Sequence, residues 1–185
     1  MSEELRPVVG AQLKDPIVRP RLSEATPSIG LLNFGRCYAD AAQALITQIA
    51  SGQLYLKFNE PILFLLGQSL ELEFSAILRA KGITIEKLRS IGKGHDLIKL
   101  LDAARKVFND ELAISPEAMQ NFRLLNIHFK KPYQVRYLIL GYTVWPDVSV
   151  LLDLARMLYD RFRPACEEVE LASGGALAVT HCVDE

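Results

Sequence analysis

The amino-acid sequence predicts an all-α fold, an up-and-down bundle of about five helices, and three observations support this class. Apolar residues recur at the three- and four-residue spacing of a helix in several separate stretches. Residues that typically start or stop helices, namely Asn, Ser, Pro and Gly, flank those stretches. The chain has no convincing run of the alternating apolar and polar residues that form strands.

The first two predicted helices differ in how their apolar residues are distributed. The first runs from about residue 31 to residue 51. Its apolar stripe consists of Leu31, Phe34, Tyr38, Ala41, Leu45 and Ile49. The second runs from residue 59 or 60 to residue 80, with Asn59 as its expected cap and Pro61 in its first turn. Because the second helix is apolar almost all round, we expect it at the centre of the bundle.

Two carboxylates interrupt this central helix. At about 100° per residue, Glu73 falls within the main apolar face, and Glu71 falls between Phe64 and Leu78. At least one of the two carboxylates should therefore be partly buried and need a partner. Two charges in the middle of the apolar stretch also argue against a membrane helix.

The remaining elements follow in chain order. A short helical turn over residues 85–91 leads through a glycine-flanked loop into a helix over residues 96–108. Ser115 is the expected cap of the next helix, and a final long helix covers about residues 147–170. We predict three regions: a flexible N-terminal arm (residues 1–28), one bundle domain (29–170) and a flexible C-terminal tail (171–185).

Composition limits the classes of function. The 185 residues are 50% hydrophobic and 23% charged, which suits one folded domain with a sizeable core. The net charge is −1, from 21 basic and 22 acidic side chains, so nothing global favours nucleic acid or a membrane. An RNA-binding surface would have to be a local patch.

The cysteines and the N-terminus predict a cytoplasmic protein without a membrane segment. Cys37, Cys166 and Cys182 are odd in number and far apart, and no pair has the spacing of a zinc or redox site. We expect them to be reduced. The first residues are acidic and then mixed, without the apolar run of a signal peptide.

The stretch "RSIGKGHDLIKLL" (residues 89–101) carries the main functional hypothesis. In one interpretation it is only a connector: Gly92 and Gly94 allow a sharp turn, and Asp96 favours the dipole of the following helix. In the other, Arg89 and His95 converge on RNA. A neutral imidazole can take the proton of a ribose 2′-hydroxyl, while a guanidinium holds the phosphate. That chemistry is metal-independent RNA cleavage.

The segment from Gln68 to Lys106 resembles the HEPN superfamily of helical, nucleotide-binding domains. Leu70-Glu71-Leu72 matches the "LEL" of a typical HEPN helix, and Gly94-His95-Asp96-Leu97 matches a "GHDL" loop. Downstream, Arg136-Tyr137 fits an "RYP" segment, with Leu138 in place of the proline. The resemblance covers about residues 33–165 of the chain.

The resemblance implies an HEPN-like bundle, a homodimer and an association with RNA or nucleotides. Catalytic members are ribonucleases with Arg and His four to six residues apart, and many are toxins or defence proteins paired with a nucleotidyltransferase antitoxin. Arg89 and His95 have five residues between them, although Ser90 stands where an Asn is usual. Related "GHDL" histidines are often not catalytic, so a helical interaction module with a structural loop remains the alternative.

Other residues have supporting roles in these hypotheses. Glu71 could pair with His95, fix the imidazole tautomer and tie the loop to the central helix. Candidate contacts to nucleic acid are Lys93, Lys131, Arg136 and Tyr137, because basic residues among aromatics can bind phosphates and stack bases. The histidines lack metal-ligand partners at suitable spacing, and no phosphate-binding glycine loop occurs, so we predict neither metal nor cofactor.

Overall fold

The computed structural model describes residues 26–108, 112–130 and 144–173, which are mainly helical and contain no strand. The predicted all-α class is confirmed. The six helices of the described residues are α1 (Ser28–Ala50), α2 (Glu60–Ala80), α3 (Ile85–Ile91), α4 (Leu97–Phe108), α5 (Pro116–Phe129) and α6 (Val148–Ala172). The sequence predicts α3 as a helical turn rather than as a separate helix. Except for their innermost residues, the predicted arm and tail lie outside the described residues.

α2 is the central helix and packs against each of the other five helices. Ile62, Leu66, Leu70 and Ile77 are each at most 2% exposed, and Phe74 is fully buried. Phe74 meets Phe122 of α5 edge-on, with ring centroids 5.5 Å apart. The central position predicted from an all-round apolar helix is confirmed.

The face that α1 turns to the core differs in part from the predicted one. Leu32, Ala39 and Ala42 are fully buried and Gly35 is buried, whereas Phe34 of the predicted stripe is 56% exposed. A β-carbon on Gly35 would lie 3.0 Å from the Ser69 carbonyl oxygen of α2, so the two helices approach closely there. The predicted stripe is wrong in its middle part because small residues, which allow this approach, decide which face packs.

Three of the helices are capped by the side chain of the residue that directly precedes them. Thr84, Ser115 and Asp147 each accept a hydrogen bond from a backbone amide in the first turn of α3, α5 and α6. The predicted Ser115 cap is confirmed. The predicted Asn59 cap is wrong, since its side chain makes no capping bond. Its backbone is already in the helical region (φ −88°, ψ −1°), whereas a capping residue is usually extended.

Among the described helices, α2 alone is long and apolar enough to cross a membrane, judged by length and composition. Of its most apolar stretch, 61% is buried inside the bundle. Central helices of folded domains commonly meet the same criteria, so this feature is weak evidence for a membrane segment.

Candidate functional site

The loop that carries His95 joins α3 to α4 through two successive residues with left-handed backbone. Gly94 has φ 82° and His95 has φ 59°. The His95 amide donates a hydrogen bond to the Gly92 carbonyl at 2.8 Å. This conformation suits glycine, but it costs a residue with a β-carbon about 1–2 kcal/mol. Contacts of the His95 side chain must therefore offset a local strain.

The His95 imidazole pairs with Glu71 of α2. Its Nδ1 lies 2.7 Å from Glu71 Oε2. An ionised carboxylate only accepts hydrogen bonds, so the Nδ1–H group is the donor. The two side chains are 33% and 20% exposed, which keeps the pair at the edge of the bundle. The pairing that the sequence suggests is confirmed as a contact between α2 and the loop.

Phe129, the last residue of α5, supports the other side of the imidazole. Its ring meets the His95 ring edge-on, with centroids 5.7 Å apart. The Phe64 ring is tilted against it, with centroids 6.3 Å apart. Phe129 is 1% exposed. A β-carbon on Gly67 would lie only 2.3 Å from the Phe129 ring, so the absence of a side chain there creates the space for the ring. Nothing in the sequence indicates that Phe129 or Gly67 belongs to the site.

Two asparagines of α5 fix the start of the neighbouring helices. Asn126 Oδ1 accepts a hydrogen bond from the Leu97 amide at 2.7 Å, at the beginning of α4 and two residues after His95. Asn121 Oδ1 accepts from the Asp147 amide, also at 2.7 Å, just before α6. The Asn126 bond is buried and the Asn121 bond is exposed. Asn126 thus supplies a cap for α4 from another helix.

We expect Asn126→Ala to lower the free energy of unfolding by about 1–2 kcal/mol, because it leaves the Leu97 amide buried without its partner. Asn121→Ala is the matched control: it removes a bond of the same type and length from an exposed position. That loss should stay below about 1 kcal/mol, since water replaces the amide oxygen. Urea denaturation of both variants measures the difference, and equal losses would contradict a buried cap.

The cationic candidates lie around the same loop. Arg89 is exposed in the last turn of α3, and Lys93 is exposed within the loop itself. Lys93, Gly94, Asp96 and Lys130 line an open pocket of about 300 Å3. Asp96 Oδ2 lies 3.7 Å from Lys99 of α4. The other predicted nucleic-acid contacts, Lys131, Arg136 and Tyr137, lie outside the described residues.

His128 belongs to a separate contact beside the end of α5. Its ring stacks on Trp145 with centroids 4.4 Å apart, and its Nε2 lies 3.0 Å from the Val144 carbonyl oxygen. Within residues 26–108, 112–130 and 144–173, no three His, Cys, Asp or Glu side chains are grouped so that they could hold a metal ion. His128 is therefore a packing residue next to the site.

The arrangement has the chemistry of an oriented acid–base group. With Nδ1–H directed at Glu71, the neutral imidazole has its lone pair on Nε2, which can accept a proton. Glu71 would stabilise the imidazolium that forms. Lys93 and Lys130 place positive charge on the adjoining pocket. These features suit a substrate that carries both a hydroxyl group and phosphate.

Glu73, the second carboxylate in the middle of α2, does not take part in this chemistry. It is fully buried on α2, and Ser69 donates a hydrogen bond to its Oε1 at 3.1 Å. Burial raises the pKa of Glu73 well above its ordinary value, although the Ser69 bond and the charge of Arg36 lower it. The prediction that at least one of the two carboxylates is buried is confirmed.

Comparison of the chain with protein-family models, with curated proteins and with solved structures gives no match.

Proposed function

We propose that the chain is an HEPN-like, RNA-associated protein in which His95, held by Glu71, performs metal-independent acid–base chemistry on the RNA backbone. The observation that carries the proposal is the 2.7 Å contact between His95 Nδ1 and Glu71 Oε2. This contact fixes both the tautomer and the orientation of the imidazole. The "LEL" and "GHDL" segments that resemble HEPN proteins supply these two residues.

The proposed reaction is the attack of a ribose 2′-hydroxyl on the adjacent phosphate. His95 Nε2 takes the hydroxyl proton, the 2′-oxygen bonds to phosphorus to give a 2′,3′-cyclic phosphate, and the bond to the 5′-oxygen breaks. The leaving 5′-oxygen takes a proton from water, and the His95 imidazolium returns its proton to solvent. The guanidinium of Arg89 holds the phosphate and stabilises the charge that develops on its oxygens. Glu71 is a positioning residue, since it acts through His95.

RNA cleavage in EDTA tests this proposal. We expect wild-type protein to cut single-stranded RNA, and His95→Asn to lower the rate by about 100-fold or more. Asn is chosen because it tolerates the left-handed backbone of position 95 better than Ala does. Arg89→Ala should also lose activity, whereas Arg105→Ala, which removes an exposed arginine from the last turn of α4, should not.

Glu71→Gln tests the positioning role of Glu71 separately from the proton transfer by His95. The amide keeps the shape of the side chain but cannot stabilise the imidazolium, so the rate should fall. Wild-type cleavage that persists in natively folded His95→Asn would overturn the assignment. Circular dichroism of each variant provides the folding control.

The second candidate function is a non-catalytic interaction module. One observation favours it: His95 has strained backbone and contacts both Glu71 and Phe129, as expected of a residue that fastens the loop to α2 and α5. In that case wild-type protein would not cut RNA, and His95→Asn would change only stability.

By resemblance to HEPN proteins alone, we extend the first proposal to a cytoplasmic homodimer and to a nucleotidyltransferase-type antitoxin as partner.

A further inference from the structure

We infer that the pocket lined by Lys93, Gly94, Asp96 and Lys130 is a phosphate subsite for a single RNA strand, separate from the scissile phosphate. This inference rests on the proposed function, because it specifies how that site holds its substrate. Two lysines from different parts of the chain, Lys93 of the α3–α4 loop and Lys130 just after α5, line one small pocket. Phosphate oxygens are the anionic groups that an RNA strand presents at regular intervals.

The acidic residue in the pocket wall does not cancel this positive charge. Asp96 Oδ2 lies 3.7 Å from the Lys99 ammonium group, and the Asp96 side chain is 17% exposed. Its Oδ1 atom is buried and has no hydrogen-bond partner among the described residues. The charge of Lys99 therefore offsets that of Asp96. Lys93 and Lys130 remain to bind an anion in the pocket.

The pocket is next to the acid–base pair but does not include it. Gly94 and Asp96 flank His95 in sequence and line the pocket. The imidazole instead contacts Glu71 and Phe129. A phosphate bound between Lys93 and Lys130 would therefore not be the one attacked beside His95. It would be a neighbouring phosphate of the same strand, which orients the substrate.

The size of the pocket suits part of one nucleotide of a single strand. A volume of about 300 Å3 is at the lower end for ligand pockets and suits one phosphate with part of its nucleotide. Binding of single strands commonly combines such basic sites with aromatic side chains. Trp145 is partly exposed, and its ring packs on that of His128, which is two residues before Lys130 in the chain.

The test uses a 2′-O-methyl oligouridylate of about eight nucleotides, which cannot be cleaved by this chemistry because its 2′-hydroxyl is blocked. Binding to the full chain is measured by anisotropy of the labelled strand over a series of salt concentrations. Trp145, the only tryptophan of the protein, gives an independent fluorescence signal without a label. Inorganic phosphate is titrated separately to show whether the free anion binds.

We expect the double substitution Lys93→Ala/Lys130→Ala to weaken strand binding about tenfold. The slope of log K against log salt should become less steep by about 0.7, as expected when one phosphate contact to a single strand is lost. Lys87→Ala/Lys106→Ala is the matched control. It removes the same net charge from exposed positions on α3 and at the far end of α4, and it should change both quantities much less.

The possible results separate the subsite from the proposed catalysis. Strand binding that weakens equally in both double variants would overturn the subsite while leaving cleavage by His95 intact. Specific loss in Lys93→Ala/Lys130→Ala, combined with no RNA cleavage by wild type, would support the subsite and contradict the catalytic proposal. If wild-type protein bound no strand, or bound inorganic phosphate as tightly as the strand, the inference would be wrong.

Discussion

Gly67→Ala is expected to destabilise the protein by about 3 kcal/mol, although glycine-to-alanine changes inside helices usually stabilise by up to about 1 kcal/mol. At this position the substitution lowers the free energy of unfolding instead, because the new β-carbon would lie 2.3–2.9 Å from three atoms of the Phe129 ring. The closest approach is far shorter than a normal contact, and the clash extends to the base of the ring. Phe129 is enclosed by Phe64 and His95, so its ring has little room to move.

A double-mutant cycle with Phe129→Leu tests this explanation. Phe129→Leu alone should cost stability, because it removes part of a buried side chain. If the clash with the ring is the cause, Gly67→Ala should be much less harmful in the Phe129→Leu background. Urea denaturation gives the four free energies. Additive effects of the two substitutions would show that Gly67 is needed for some other reason.

The same contact links stability to the candidate site. Phe129 packs against Gly67 on one side and against the His95 imidazole on another. If the Phe129 ring were displaced, the His95 imidazole that packs against it would shift relative to Glu71. Gly67→Ala should therefore also weaken any activity that depends on the Glu71–His95 pair, without changing either of those residues.

The helical class and most helix boundaries could be predicted from the sequence, because they depend on local patterns. The apolar periodicity of α2 predicts its central position, and Ser115 followed by Pro116 marks the start of α5. The buried face of α1 could not be predicted in the same way. Phe34 and Leu32 are both apolar, and the choice between their faces depends on how closely α1 can approach α2.

The site was predictable only in part, for a similar reason. The pairing of Glu71 with His95 is suggested by one of two carboxylates in a mainly apolar helix and by a histidine in a nearby loop. Asn126 and Phe129 belong to α5, far along the chain, and nothing in their local sequence indicates what they contact. Lys130 is one residue of a basic segment, and its position beside Lys93 is a consequence of tertiary packing.

The second large effect concerns the pH dependence of stability and comes from Glu73. Its carboxyl group lies between α1 and α2, where a β-carbon on Gly35 would meet Glu73 Cγ at 3.0 Å. Oε1 accepts the hydrogen bond of Ser69, whereas Oε2 is buried with no hydrogen-bond partner among the described residues. Burial raises the pKa of Glu73 well above 4.5, because an ionised carboxylate would lose its hydration there.

A raised pKa in the folded state makes the protein less stable as pH rises. Below about pH 4, Glu73 is protonated in both the folded and the unfolded chain, so its titration favours neither state. Above its ordinary pKa of 4.5, the unfolded chain releases the proton while the folded protein retains it. The free energy of unfolding then falls by up to about 1.4 kcal/mol per pH unit until the folded-state pKa is reached.

Glu73→Gln should remove this dependence. The amide cannot ionise, and its oxygen can still accept the hydrogen bond of Ser69. We expect the stability of the variant relative to wild type to increase steadily as urea denaturations are repeated at rising pH above 4.5. Other titrating groups affect both proteins equally, so the difference isolates Glu73.

The exposed Glu86→Gln provides the control, and its free energy of unfolding should change with pH as that of wild type does. A constant difference between Glu73→Gln and wild type would mean that the buried carboxyl group ionises at its ordinary pKa, with the charge of Arg36 on α1 compensating for its burial.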